Sequence, residues 1–120
     1  ISDRRIANAK YLDDGLQKIN EISIPPRPED FRLVFHLYIV FAQDRDGLLK
    51  YCLDKGIDAK IHYPIPIYKQ SALDYLGYKD GDFPVTDEHV EKIITFPCDQ
   101  HLEQDQLDYI VSTVAQYYED

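Results

Sequence analysis

This sequence of 120 residues predicts a small α/β domain of two-layer, α+β-like design, in which an antiparallel or mixed sheet packs with helices. Three observations carry that expectation. Apolar residues recur at helical spacing near both ends, an unbroken β-branched and aromatic run lies between them, and the length suits one core rather than two.

Ile6, Ala9, Leu12, Leu16 and Ile19 step by three and four, so a helix is predicted over residues 3–19. Pro25, Pro26 and Pro28 remove donors and restrict their neighbours, making residues 23–30 an extended surface connection. The run LVFHLYIVF, residues 33–41, reads as a central strand covered on both faces. Its odd positions form a wholly apolar face. Its even positions carry Val34, His36, Tyr38 and Val40, the chemically mixed face.

Asp44 then precedes Leu48, Leu49, Cys52 and Leu53 at helical spacing, and Gly56 follows where a left-handed cap is expected. A second strand is predicted over residues 57–61. The segment HYPIPIYKQ holds too many prolines for a helix or a central strand, and reads as an ordered loop entering a short helix at residues 71–76. Thr86 can cap a further helix that carries Asp87 and Glu88 in its first turn and turns Val90, Ile93 and Ile94 inward. A brief strand is expected before Pro97. Leu107, Ile110, Val111, Val114, Tyr117 and Tyr118 give a terminal helix with a broad apolar stripe.

Thirteen Lys and Arg against twenty-two Asp and Glu leave a net charge of −9, which disfavours nucleic acid and anionic membranes as partners. No apolar stretch has the length of a bilayer span, and residues 1–5 lack the pattern of a secretory signal, so the cytoplasm is the expected location. Cys52 and Cys98 are expected to be buried thiols. The four histidines, His36, His62, His89 and His101, have no short metal-ligand spacing, and no metal site is expected. The absence of any methionine leads us to expect a processed product, a trimmed chain or a piece of a longer polypeptide.

The densest set of polar groups on restricted backbone is His62, Tyr63, Pro64, Pro66, Tyr68 and Gln70, a plausible ligand wall. Simple packing of that loop on its own domain is the competing reading, and at least one of Tyr63 and Tyr68 should be partly buried with its hydroxyl satisfied. His36 shares a strand face with Tyr38, and a core or interface histidine bonded to backbone or to Tyr38 is favoured over a general base. No carboxylate pair, Ser-His-Asp order, dinucleotide fingerprint or phosphate-binding loop stands out.

Three blocks read together, RRIANAKYLDDGL, HLYIVFAQDRDGLLKYCLDKGIDAKIHYPIPIYKQ and GDFPVTDEHVEKIITFPCDQHLEQDQLDYIVSTV, resemble the C-terminal small domain of the DegT/DnrJ/EryC1/StrS family of pyridoxal-phosphate-dependent sugar aminotransferases. The family's RxxNAxxY block falls on Arg5, Asn8, Ala9 and Tyr11, which read as mainly structural. Its HxY block falls on His36 and Tyr38, and its RDxLxxxLxxxGI block runs from Arg45 to Ile57. Its HYPxPxHxQ-like block falls on residues 62–70, with Tyr68 where histidine is frequent. Glu103 stands where a capping threonine is common.

The resemblance implies the small domain of a fold-type I aminotransferase. His36, Tyr38, His62, Tyr63, Tyr68 and Gln70 become candidate substrate contacts for a nucleotide-linked sugar. It also implies pyridoxal 5'-phosphate as cofactor, homodimers, and an upstream large domain that supplies the cofactor lysine and the carboxylate near the pyridine nitrogen. None of the eight lysines lies in the cofactor-lysine context. By this reading residues 1–120 are the small domain without the large one, hold no catalytic, cofactor-binding or metal residue, bind no cofactor alone, and are inactive alone. A non-catalytic ligand-binding or assembly module on the same scaffold is the alternative.

Overall fold

The computed structural model describes residues 1–119. Its elements run α1 (Ser2–Leu16), β1 (Ile22–Ser23), β2 (Tyr38–Ala42), α2 (Arg45–Asp54), two short 3-10 segments (Ile67–Lys69 and Ser71–Leu76), α3 (Pro84–Lys92), β3 (Ile93–Phe96) and α4 (Gln104–Glu119). The three strands form an antiparallel sheet in the order β1-β2-β3. Ile22 pairs with Ala42, and Tyr38 pairs with Phe96. This resolves the expected antiparallel or mixed sheet as antiparallel and keeps β2 central.

β2 is shorter than the apolar run, and the buried face is the mixed one. Tyr38, Val40 and Ala42 are buried while Ile39 and Phe41 are half-buried. The chain leaves the extended region at Phe35, whose φ is 52°. The Arg5 guanidinium at 2.9 Å and the Cys98 thiol at 3.4 Å both donate to the Phe35 carbonyl, so residues 33–37 are held out of the ladder. Burying the even face requires a partner for the Tyr38 hydroxyl, and Asp13 of α1 accepts from it at 2.7 Å. On the opposite face Phe41 meets His89 of α3, with ring centroids 4.5 Å apart.

α1 stops at Leu16 rather than at residue 19, because the following turn delivers Ile22 and Ser23 to β2 as an edge strand that the proline-based reading did not include. Asn8 anchors the helix to the chain after β3, its amide donating to the Asp99 carbonyl at 2.8 Å. The predicted second strand at residues 57–61 reduces to one antiparallel bridge between Lys60 and Thr95, with N–H···O distances of 3.0 and 2.8 Å. α3 begins at Pro84, two residues before Thr86, since proline's fixed φ suits the first helical position. Ile93 and Ile94 belong to β3, and α3 buries none of its residues.

Asp44 sits at the N-cap position of α2 with φ 48° but does not cap it. Its carboxylate accepts from the Tyr117 hydroxyl instead. At the start of α4 the Gln106 side chain accepts from the Glu103 N–H at 2.8 Å, supplying the return half of a capping box in place of a threonine cap. One core of Leu12, Leu16, Tyr38, Val40, Leu48, Cys52, Ile94, Phe96 and Val114 joins α1, α2, α4 and the sheet. Both cysteines are free and buried.

Candidate functional site

Two depressions hold four of the six candidate contacts, His36, Tyr38 and His62 in one and Tyr68 in the other, and the β2–β3 pair positions the first. Thr95 of β3 pairs its backbone with Lys60, so the chain leaving Lys60 runs beside the strand. Extended geometry sends Lys60 and His62 to the same side. His62 Nδ1 lies 2.9 Å from Thr95 Oγ1, which fixes the ring. Across from it stands His36, carried by the turn that Arg5 and Cys98 hold. The result is a groove of about 200 Å³ lined in part by Arg5, His36, Asp58, Lys60, His62 and Asp99.

The groove brings together His36 and His62, which are 26 positions apart in the chain, and Tyr38 also lines it. Tyr38 itself is wholly buried, and its hydroxyl donates to the Asp13 carboxylate. Arg27 forks onto Asp13 at 3.0 and 3.2 Å and lies 5.0 Å from the Phe35 ring centroid and 5.6 Å from that of Tyr38. Tyr38 therefore acts here as a support for the turn that carries His36. Of the core or interface histidine expected at position 36, the core half is corrected: His36 is exposed, because the chain bends at Phe35 before the strand begins, and the Tyr38 hydroxyl goes to Asp13 instead.

The second depression belongs to the loop after His62. Tyr68 is half-buried, stacks on Phe83 with centroids 4.9 Å apart, and donates its hydroxyl to Asp87 of α3 at 2.5 Å. Burial and the Asp87 carboxylate both hold its phenol above the usual range. Lys69 closes the clasp with Asp80 at 3.3 Å. Gln70 turns back to the Ile65 carbonyl at 3.3 Å, while Tyr63 projects outward, 71% exposed. Ile67, Tyr68, Leu73, Tyr78, Phe83 and Thr86 outline an apolar depression of about 300 Å³.

Chemically, the first depression is an oxyanion site in outline. Arg5, Lys60 and two imidazoles offer donors beside the carboxylates of Asp58 and Asp99, with Lys60 Nζ 3.1 Å from Asp58. Arg5, Lys60 and Thr95 were not among the sequence candidates. The spacing of Lys60 two residues before His62 was a legible signal for one of them; Arg5 and Thr95 arrive only through the fold. Among the described residues no group of three or more His, Cys, Asp or Glu is placed to hold a metal ion. No helix among them is long and apolar enough to cross a membrane.

The same residues were tested against a covalently held aldehyde cofactor. Its lysine must lose a proton readily, which requires burial away from carboxylates. All eight lysines are exposed. Lys10, Lys50 and Lys69 are held above the usual lysine range by hydrogen bonds to Asp14, Asp54 and Asp80 respectively. Residues 1–119 therefore do not fit that group by themselves.

Residues 1–115 match the model of the DegT/DnrJ/EryC1/StrS aminotransferase family. A pleiotropic regulatory protein of Geobacillus stearothermophilus is 29% identical over 116 residues, covering 96% of this chain and 31% of that protein. The dTDP-3-amino-3,6-dideoxy-alpha-D-galactopyranose transaminase of Aneurinibacillus thermoaerophilus is 27% identical, with 89% of this chain and 32% of the relative covered. Among solved structures, S. venezuelae DesV in complex with a ketimine intermediate superposes with a TM-score of 0.93 at 28% identity, covering 99% of this chain and 32% of that one. The chain thus spans about a third of the length of these relatives.

Proposed function

Because the chain belongs to the DegT/DnrJ/EryC1/StrS aminotransferase family, we propose that it is the C-terminal small domain of a pyridoxal-phosphate-dependent enzyme that moves an amino group, from glutamate or glutamine, onto a nucleotide-linked ketosugar. The product would enter polysaccharide, lipopolysaccharide or secondary-metabolite synthesis. In this reading a large domain upstream holds the cofactor, which supplies the electron sink for the transfer. The whole protein works as a homodimer. Two buried free thiols suit the reducing cytoplasm.

The observation that carries the reading is the groove shared by His36 and His62. Its donors are those a phosphate ester needs, and Thr95 fixes the His62 ring before any ligand arrives. Arg5 contributes charge while its Nη1 is occupied by the Phe35 carbonyl, so its role is to shape the groove as well as to attract an anion. Tyr63, exposed at the loop's start, and Gln70, turned back to the Ile65 carbonyl at its end, lie outside the groove's lining, and in this reading they meet the substrate from the loop beside it. Tyr68 contributes by fastening the loop to Asp87.

The test uses the complete polypeptide with pyridoxal phosphate, glutamate and a nucleotide ketosugar. Cofactor uptake, seen as visible absorption, together with amino transfer is the expected result. His62→Ala should raise KM for the nucleotide sugar at least tenfold and leave cofactor uptake unchanged. A complete protein that takes up no cofactor would overturn the enzyme reading and favour a non-catalytic binding or assembly module on this scaffold.

A further inference from the structure

Arg45 is a nearly buried cation outside the groove. It opens α2, yet its side chain is only 9% exposed and reaches away from its own helix. Nη1 donates to the Val90 and Ile93 carbonyls at 2.8 Å each, and Nε holds Asp46 at 2.7 Å. Val90 lies in the last turn of α3 and Ile93 is its C-cap, so both oxygens sit at a helix end, where carbonyls lack intrahelical donors and a cation is favoured. Arg45 thus clamps the C-terminal end of α3 from a neighbouring helix.

That helix needs the clamp. It has nine residues, too few to be stable by itself, and buries none of them. On the sheet it rests the His89 ring against Phe41. What α3 holds in turn is the far end of the loop after His62. Asp87, one turn before Val90, accepts from the Tyr68 hydroxyl at 2.5 Å, and Phe83, at the N-cap position, packs on the Tyr68 ring. The loop therefore has two moorings: His62 is fixed to β3 through Thr95, and Tyr68 is fixed to α3. Beyond them residues 63–83 form an arm whose two 3-10 segments bury no residue.

We propose that Arg45 is a positioning residue for the nucleotide sugar. By clamping the end of α3 it sets where Asp87 holds Tyr68, and so where the far end of the loop stands relative to the groove of His36 and His62. This rests on the aminotransferase reading. The hydrogen bonds of Arg45 go to none of the candidate substrate contacts, so it acts through α3. A loop placed before the ligand arrives loses little entropy on binding, a gain shared by bound substrate and transition state, so it shows in KM rather than in kcat.

Amide exchange and kinetics of the complete protein, loaded with pyridoxal phosphate, test it. Arg45→Ala should speed exchange at Lys69 and Gln70 at least tenfold and leave Lys60 and Thr95, bonded to each other at the His62 mooring, within twofold. With a dTDP- or UDP-linked ketosugar, whichever the parent aminates, KM should rise at least fivefold while kcat and cofactor absorption stay within twofold. Arg45→Lys, the milder variant, keeps the charge without the planar fork and should raise KM at least twofold. Asp87→Ala should match Arg45→Ala, and the two combined should exceed either by less than twofold. Lys92→Ala, which breaks only the exposed pair with Glu88 on the same helix, should leave every value at that of the parent. Unchanged exchange at Lys69 and Gln70, equal acceleration at Lys60 and Thr95, an unmoved KM, or Arg45 and Asp87 effects that multiply would each overturn the proposal. A parent that takes up no cofactor sinks the enzyme reading instead, and the exchange comparison, which needs no substrate, still decides whether Arg45 holds the loop.

Discussion

Tyr38 lies wholly buried on the central strand of the sheet. Its hydroxyl is the only polar atom of the buried face of β2, and the Asp13–Arg27 pair satisfies it. Burial first, and the Asp13 carboxylate second, push its phenol well above the usual tyrosine range. The folded state keeps that proton while an unfolded tyrosine loses it above about pH 10, so folding stability declines as pH rises past that point. Tyr38→Phe should cost about 2 kcal/mol at pH 7, the worth of a hydrogen bond to a charged acceptor, and flatten the decline above pH 10. Urea midpoints across a pH series measure both. Cys52, pushed up to about 11 by burial, adds its own decline from pH 9 in both proteins, so the slopes are what must differ. An unchanged slope would show that Tyr38 is neither buried nor bonded to Asp13 in solution.

Among the elements, the approach of α1 to α4 is set by Gly15. A Cβ there would lie 2.8 Å from both Cγ atoms of Val111. Alanine gains about 1 kcal/mol over glycine in a helix interior, yet here it must push aside a β-branched side chain that has one favoured rotamer. Gly15→Ala should therefore destabilise by about 1–2 kcal/mol. Adding Val111→Ala should recover part of that loss, and the non-additivity in a double-mutant cycle of unfolding free energies is the check. The stripes of α1 and α4 were legible because a 3.6-residue period needs no partner to be seen. The ends of β2 were not, since the nine apolar residues from 33 to 41 look uniform until Arg5 and Cys98, 30 and 63 positions from Phe35, bend the chain there.

On the scale of the whole molecule, the core and the arm should differ in stability. The β2–β3 ladder lies over the shared core, whereas the arm is held by a few aromatic contacts and surface ion pairs. In residues 1–120 taken alone, amides of residues 63–83 should exchange faster than those of Tyr38–Ala42, and a protease should cut first between residues 71 and 83. Mass spectrometry of the pieces reads this directly, and a first cut inside the sheet would refute it. The sequence by itself determined the helices, the central strand, the buried thiols and the family, because periodicity, apolar runs and ordered motif blocks are properties of neighbours along the chain. Only the tertiary structure decided which face of β2 is buried, that Lys60 and Thr95 join His36 and His62, and that Tyr63, Ile67, Tyr75 and Val85 are left exposed. Those outcomes depend on contacts between residues far apart in the chain, and a linear pattern carries no distance between them.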